Sequence, residues 1–223
     1  MLERVVERAR GARRVERVVV ATTESPADDR VEALCLDRGI PVFRGSESDV
    51  LDRYLGAARR FEADPIVRLT ADCPLLDPAV IDAVVARFGA GGVDYVANIN
   101  PPTYPDGLDT EVFSASALAR AAQAATLKSE REHVTLYIRN HPDVFRIANV
   151  ESSRDLSSLR WTVDEPEDLE FARAVYERLG EGPFGMDDVL RLLSAEPRLV
   201  AGNARFERDE GLKRSLREDE AVR

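Results

Sequence analysis

Leu2, Val5, Val6 and Ala9 recur at the three- and four-residue spacing that lays apolar side chains along one face of a helix. Residues 15–23, VERVVVATT, then read as a short buried strand, so the chain opens on a helix that feeds a strand. Ser25 and Pro26 start a second helix that passes through Cys35 and Leu36 and stops at Gly39. Residues 40–43 form a strand, 49–60 a helix and 66–70 a strand. Residues 78–88 then form a helix with apolar Val80, Ile81, Val84 and Val85, and 95–98 a strand. Strands and helices alternating at this interval predict an α/β fold with a parallel sheet covered by helices on both faces.

The rhythm changes after Asn98. The stretch NINPPTYPDGLDTEVF carries three prolines and a glycine, reads as a loop, and ends in a strand at 110–113. Helices are expected at 115–125 and 130–140, strands at 145–149 and 159–162, and a helix at 166–179 whose acidic start, DEPEDLE, suits a helix amino terminus. We divide the chain into one α/β domain over 1–201 and a charged tail over 202–223, read as a solvated helix, an extended arm or a disordered segment.

Composition narrows the function. A chain of 223 residues with 44% hydrophobic residues can bury a full core. The formal charge of −10 speaks against broad nucleic-acid or anionic-membrane binding, and no apolar run approaches the roughly 20 residues of a membrane span. Lysine occurs only as Lys128 and Lys213, so phosphate contacts must come mainly from arginine or backbone N–H groups. The two cysteines form no C-x-x-C pair, the amino terminus lacks the apolar core of a secretory signal, and a reducing cytoplasmic setting is expected.

In an open parallel sheet, ligands gather beyond the carboxyl ends of the strands. Asp72, in VRLTADCPLLDP, and Asp164, in RWTVDEPEDL, each follow such an end. Two converging carboxylates suit one Mg²⁺, which takes one or two carboxylates and completes its shell with phosphate oxygens and water. The alternatives are plain: Asp164 caps the next helix, and Asp72 stabilises a turn.

The blocks VERVVVATT, PVFRGSESDVLDRY, VRLTADCPLLDP, PPTYPDGLDTEVF, SEREHVTLYIRNHP and LRWTVDEPEDLEFA resemble, in this order, the cytidylyltransferase-like proteins grouped with spore-coat polysaccharide biosynthesis protein F. These are relatives of the enzymes that make CMP-sialic acid and CMP-3-deoxy-manno-octulosonate. The resemblance implies a Rossmann-like nucleotidyltransferase in which a sugar-acid oxygen attacks the α-phosphate of CTP and pyrophosphate leaves. It also implies that Asp72 and Asp164 are the catalytic, Mg²⁺-holding pair, and that Thr22, Arg44, Gly45, Ser46 and Asp49 help enclose the nucleotide. A homodimer contact within residues 98–150 belongs to the same expectation.

One departure stands against the matches. The resemblance implies a leading strand and a glycine- and arginine-containing loop ending in lysine, which hold the triphosphate, and this chain contains neither. The sheet is therefore expected to lack its first, central strand. A coding start placed downstream of the true one is the preferred explanation, the other being a degenerate or partner-completed domain. Strand edges left unpaired invite association, so a poorly active, aggregation-prone chain is expected.

The remaining candidates carry two readings each. Asp106, Asp109 and Glu111 either hydrogen-bond sugar hydroxyls or serve the turn around PDG. His133, on a helix with Glu132, is a general base or part of a polar face, and the resemblance sets both residues near the sugar subsite. Arg44 meets phosphate or base, or faces solvent. Trp161 is expected in the core, Cys73 as a buried turn thiol, and GAGGV at 89–93 as a helix stop. Two rival functions remain. The first is a sugar-nucleotide-dependent glycosyltransferase, whose usual Asp-x-Asp motif is absent from the sequence; the second is a non-catalytic nucleotide-binding or assembly module.

Overall fold

The computed structural model describes residues 1–202 and 205–219, and its strands fall into two sheets. β1 (Val20–Thr23) and β2 (Val42–Gly45) form a parallel pair. β3 (Ile66–Arg68), β4 (Tyr95–Ala97), β5 (Glu111–Phe113) and β6 (Ile147–Asn149) form a four-stranded sheet in the order β3-β5-β4-β6. Both β3 and β4 run antiparallel to β5, and β4 runs parallel to β6. Three strands therefore share a direction, but the reversed β5 lies between β3 and β4 and makes two of the three pairings antiparallel, so this sheet is mixed where the alternation predicts a parallel one; the chain that breaks the alternation after Asn98 returns to insert β5 there.

The sheet is interrupted in its middle. β1 pairs only with β2 and β3 only with β5, so each keeps one unpaired edge. Both strands line one cleft of about 860 Å³, together with Leu2 and Val5 from α1 (Leu2–Arg10) and Tyr54 and Phe61 from α3 (Val50–Phe61). Among the described residues no strand lies between β1 and β3. Residues 15–19, expected to extend the strand, have no partner and are not paired strand.

Helices tie the two sheets together. On α1, Val6 packs with Cys35 and Ile40 beside β1 and β2, while its neighbour Val5 packs with Leu76 and Ile81 on the far side of the cleft. Each such apolar side chain contributes about 1.5–3 kcal/mol when fully buried. Below α3, the buried Leu51, Leu55 and Ala58 follow helical spacing, and Asp49 caps the helix by accepting from the Asp52 N–H at 2.9 Å. The N-cap of α4 (Pro78–Gly89) is Asp77, which accepts from the Ala79 N–H at 2.6 Å. α2 (Asp29–Asp37), α5 (Ala115–Ala124) and α8 (Pro166–Leu179) fall at the expected places.

Two expected elements come out differently, and two helices appear that were not expected. The helix over 130–140 is two short helices, α6 (Lys128–Glu132) and α7 (Leu136–Asn140), because Val134 turns left-handed at φ 53 between them. The strand over 159–162 reduces to a single parallel bridge between Asp106 and Arg160, since a loop and not a strand lies beside it. After α8, two further helices not foreseen, α9 (Met186–Ala195) and α10 (Arg198–Ala201), complete a core with Trp161 and Phe171. The tail reading over 202–223 falls partly on 203–204 and 220–223, which lie outside the described residues; the described part folds as α11 (Glu210–Arg217).

Candidate active site

A cavity of about 820 Å³ opens beyond the carboxyl end of β3. Asp72, Asp106, Asp109, Glu111, His133 and Asp164 line it, so six of the candidate residues come from four separate stretches of sequence to one place. α11 forms its outer wall.

Asp72 and Asp164 are brought together by the backbone. The Val163 N–H donates to the Asp72 carbonyl oxygen at 2.9 Å, which pins the start of the α8 turn against the turn that follows β3. Burial, and next the negative charge of Asp72, push the Asp164 carboxyl above its ordinary value. A carboxylate pair that repels itself across a polar cavity is the donor set a divalent cation relieves. Among the described residues no cluster of three or more His, Cys, Asp or Glu suited to a metal occurs.

Arg160 holds Asp164 in place. Its Nη2 donates to Asp164 Oδ2 at 2.7 Å, and its Nε and Nη2 grip the fully buried Asp168 at 3.0 and 2.9 Å. Asp168 in turn accepts from the Asp164 and Glu165 N–H groups at 3.1 and 3.0 Å, capping α8. Asp164 thus does not supply the α8 cap with its side chain; Asp168 reaches back to do so. Arg160 was not singled out from sequence, although carboxylates four and eight residues beyond an arginine set between leucine and tryptophan were a legible signal.

Asp106 and Asp109 sit on a loop pressed against residues 159–162. The Trp161 N–H donates to the Asp106 carbonyl at 2.6 Å, and a Cβ on Gly107, whose φ is +103, would lie 2.6 Å from the Trp161 carbonyl carbon. Only glycine fits there. Burial raises the Asp106 carboxyl to about 6 and the Asp109 carboxyl to about 7, against the pull of Arg208, which bonds Asp109 directly.

Glu111 is not a loop residue. It lies in β5 with 2% exposure, bonded by Arg68, by Thr135 Oγ1 and by Tyr95 Oη at 2.6 Å. Complete burial would raise its carboxyl, but Arg68 and Arg139 hold it below its ordinary value. It is a paired charge in the cavity floor. His133 lines the cavity, its Nε2 is 2.9 Å from Ser215 Oγ of α11, and burial lowers its basicity. Glu132 is exposed, does not line the cavity, and accepts from the same Ser215 at 3.1 Å.

The five nucleotide candidates do not line this cavity. Thr22 Oγ1 donates to Asp28 at 2.7 Å at the end of β1. Arg44 is not turned to solvent: it bonds Glu32 at 2.7 Å, Asp29 at 2.8 Å and the Thr23 and Ser25 carbonyls. Gly45 packs against Phe43 and Arg53, Ser46 Oγ accepts from the Asp49 N–H at 3.0 Å, and Asp49 is the α3 cap. Cys73 is a buried thiol bonded to Thr70 and Asp72, and burial raises it well above its ordinary value, which disarms it as a nucleophile.

The family model described as Cytidylyltransferase matches residues 1–185. The spore coat polysaccharide biosynthesis protein SpsF of Bacillus subtilis (strain 168) is 36% identical over 186 residues, 82% of this chain and 76% of that protein. A 3-deoxy-manno-octulosonate cytidylyltransferase of Anaeromyxobacter sp. (strain Fw109-5) is 28% identical over 221 residues, 89% of this chain and 88% of that one. Among solved structures, a cytidylyltransferase from Leptospira borgpetersenii serovar Hardjo-bovis (strain JB197) matches with a TM-score of 0.87 at 32% identity, over 92% of this chain and 87% of that chain. No helix among the described residues is long and apolar enough to cross a membrane.

Proposed function

The chain belongs to the cytidylyltransferase family, and from that premise we propose that it transfers CMP from CTP to a sugar acid destined for a surface polysaccharide, in the cytoplasm. The observation that carries this is the convergence of Asp72 and Asp164 on one cavity, at the rim where an α/β sheet binds its ligands. The name of the relative that acts on 3-deoxy-manno-octulosonate supports the acid as acceptor, and that of the spore-coat relative supports the polysaccharide.

Cytidylyl transfer asks for position and neutralised charge more than for covalent help from the protein. Asp72 and Asp164 would hold Mg²⁺, which when bound supplies charge neutralisation at the phosphates. Arg160 fixes the Asp164 carboxylate by bonding Oδ2, leaving Oδ1 outside that bond. Asp106 and Asp109 offer carboxyl groups to sugar hydroxyls, and with acidities displaced toward neutrality both can donate as well as accept hydrogen bonds. His133 stands at the acceptor side, neutral because burial lowers its basicity. Homodimerisation through residues 98–150 is part of the same proposal; exposed Val144 offers an apolar contact on that segment.

Pyrophosphate release with each of CTP, UTP, ATP and GTP, Mg²⁺, and a panel of acidic and neutral sugars tests the proposal. It should be run on this chain and on one carrying in-frame upstream sequence. Release confined to CTP with an acidic sugar is expected, stronger in the extended form. Nucleotide binding without release in either form would instead favour a non-catalytic module.

A further inference from the structure

Among the cations that line the cavity, Arg68 is bonded to Glu111 and Lys213 to Glu207, Arg160 holds Asp168 and Asp164, and Arg139, whose buried Nε has no hydrogen-bond partner among the described residues, acts through its charge on Glu111. Arg214 and Arg217 also line the cavity, and among the described residues neither side chain has an ion-pair or hydrogen-bond partner. They stand three positions apart on α11 and so share one face of the helix.

That helix is held in place from several directions. Arg160 Nη1 donates to the Glu207 carbonyl at 3.0 Å, and Arg208 donates to the Tyr104 carbonyl at 3.2 Å. Ser215, which lies between the two arginines in sequence, bonds His133 and Glu132. Asp219 accepts from the Ser129 N–H and hydroxyl at 3.0 and 2.7 Å. α11 is therefore a wall of the cavity, and it carries its unpaired guanidinium pair beside His133. A cavity furnished with Asp72, Asp106, Asp109, Glu111 and Asp164 repels an anionic acceptor unless cations meet it on its own side.

We propose that Arg214 and Arg217 are specificity-determining residues that receive the carboxylate of the acceptor. This deepens, and rests on, the cytidylyl-transfer proposal. Guanidinium groups pair carboxylates in a fork geometry that lysine does not reproduce. Selection of an acid over a neutral sugar would then depend on the carboxyl-terminal helix, while the nucleotide is handled at Asp72 and Asp164.

Isothermal titration of the full chain with 3-deoxy-manno-octulosonate, with and without CTP, tests this, alongside a separate titration with CTP and Mg²⁺. The proteins are wild type, Arg214→Gln/Arg217→Gln, Arg214→Lys/Arg217→Lys, and as a control Arg198→Gln on the surface of α10; circular dichroism establishes that each folds. The expected result is a loss of acid affinity of at least about tenfold in the glutamine variant. The lysine variant should show partial recovery, and neither the control nor CTP binding should change. Equal acid affinity in wild type and the glutamine variant, no acid binding by wild type, or an equal loss for CTP would overturn the assignment. Failure of CTP to bind any form would instead strike the nucleotide proposal, leaving the acid titration to decide the arginines on its own.

Discussion

Asp164 stands beside Asp72 because the neighbouring Val163 N–H donates to the Asp72 carbonyl oxygen at 2.9 Å, and Arg160 then orients the Asp164 carboxylate from behind. Backbone sets the distance between the two segments and a buried arginine sets the direction of one side chain. The consequences can be measured at each link.

Arg160→Met removes an ionic partner of a carboxylate with 0% exposure. Taking the guanidinium away from the buried Asp168 charge should cost up to about 3–5 kcal/mol. Arg160→Lys should recover little, since Asp168 is gripped by Nε and Nη2 together and an ammonium cannot copy that fork. Urea denaturation of the three proteins checks this; a lysine variant as stable as wild type would contradict it.

Gly107→Ala should destabilise the chain by at least about 2 kcal/mol, the order expected where a side chain meets both a positive φ and a backbone clash. Because the loop also carries Asp106 and Asp109, turnover should fall in the fraction that remains folded. Thermal melting followed by assay of the soluble protein reads both effects.

Much of this was legible beforehand, and the failures have physical causes. The alternation of strands and helices and the helices that start near 50 and 78 follow from patterns a few residues long. The break at Val134 was not legible, because a β-branched residue at φ 53, buried in the core, contradicts its own local preference. The reduction of 159–162 to a bridge was hidden for a similar reason, since whether an extended segment becomes a strand depends on what lies beside it. Arg44 looked available because its partners, Asp29 and Glu32, belong to a neighbouring helix whose contacts no local pattern reveals. The wall formed by α11 depends on long-range bonds such as Ser215 to His133, which charge composition does not disclose.

Protonation of the loop carboxyls should show in stability. Burial raises Asp109 to about 7 and Asp106 to about 6 from an ordinary value of 3.8, so the folded state holds protons that the unfolded chain has already released. Their contribution is fully present below the unfolded value and is lost as pH rises through 6 and 7. The melting temperature of wild type should therefore fall between pH 5 and pH 8 more steeply than that of Asp109→Asn, by about 2–4 °C for each kcal/mol involved. Parallel melting curves for the two proteins across that range would remove Asp109 from the explanation.

The unpaired edges of β1 and β3 should make the chain associate as its concentration rises, because open strand edges template further pairing. Light scattering after size exclusion, with an apolar dye to report the open cleft, is the check. Fusing a strand-forming segment ahead of Met1 should suppress both signals; a monodisperse, dye-silent chain without it would contradict the expectation.

The central claim is that Asp72 and Asp164 together hold a divalent cation for the phosphates of CTP, and Mn²⁺ binding followed by electron paramagnetic resonance in the presence of CTP tests it most directly. Wild type should bind Mn²⁺ more tightly with CTP than without, and Asp72→Asn and Asp164→Asn should each weaken that binding by about 10–100-fold. Mn²⁺ affinity unchanged in both variants would contradict the account and return Asp72 to the role of a turn residue.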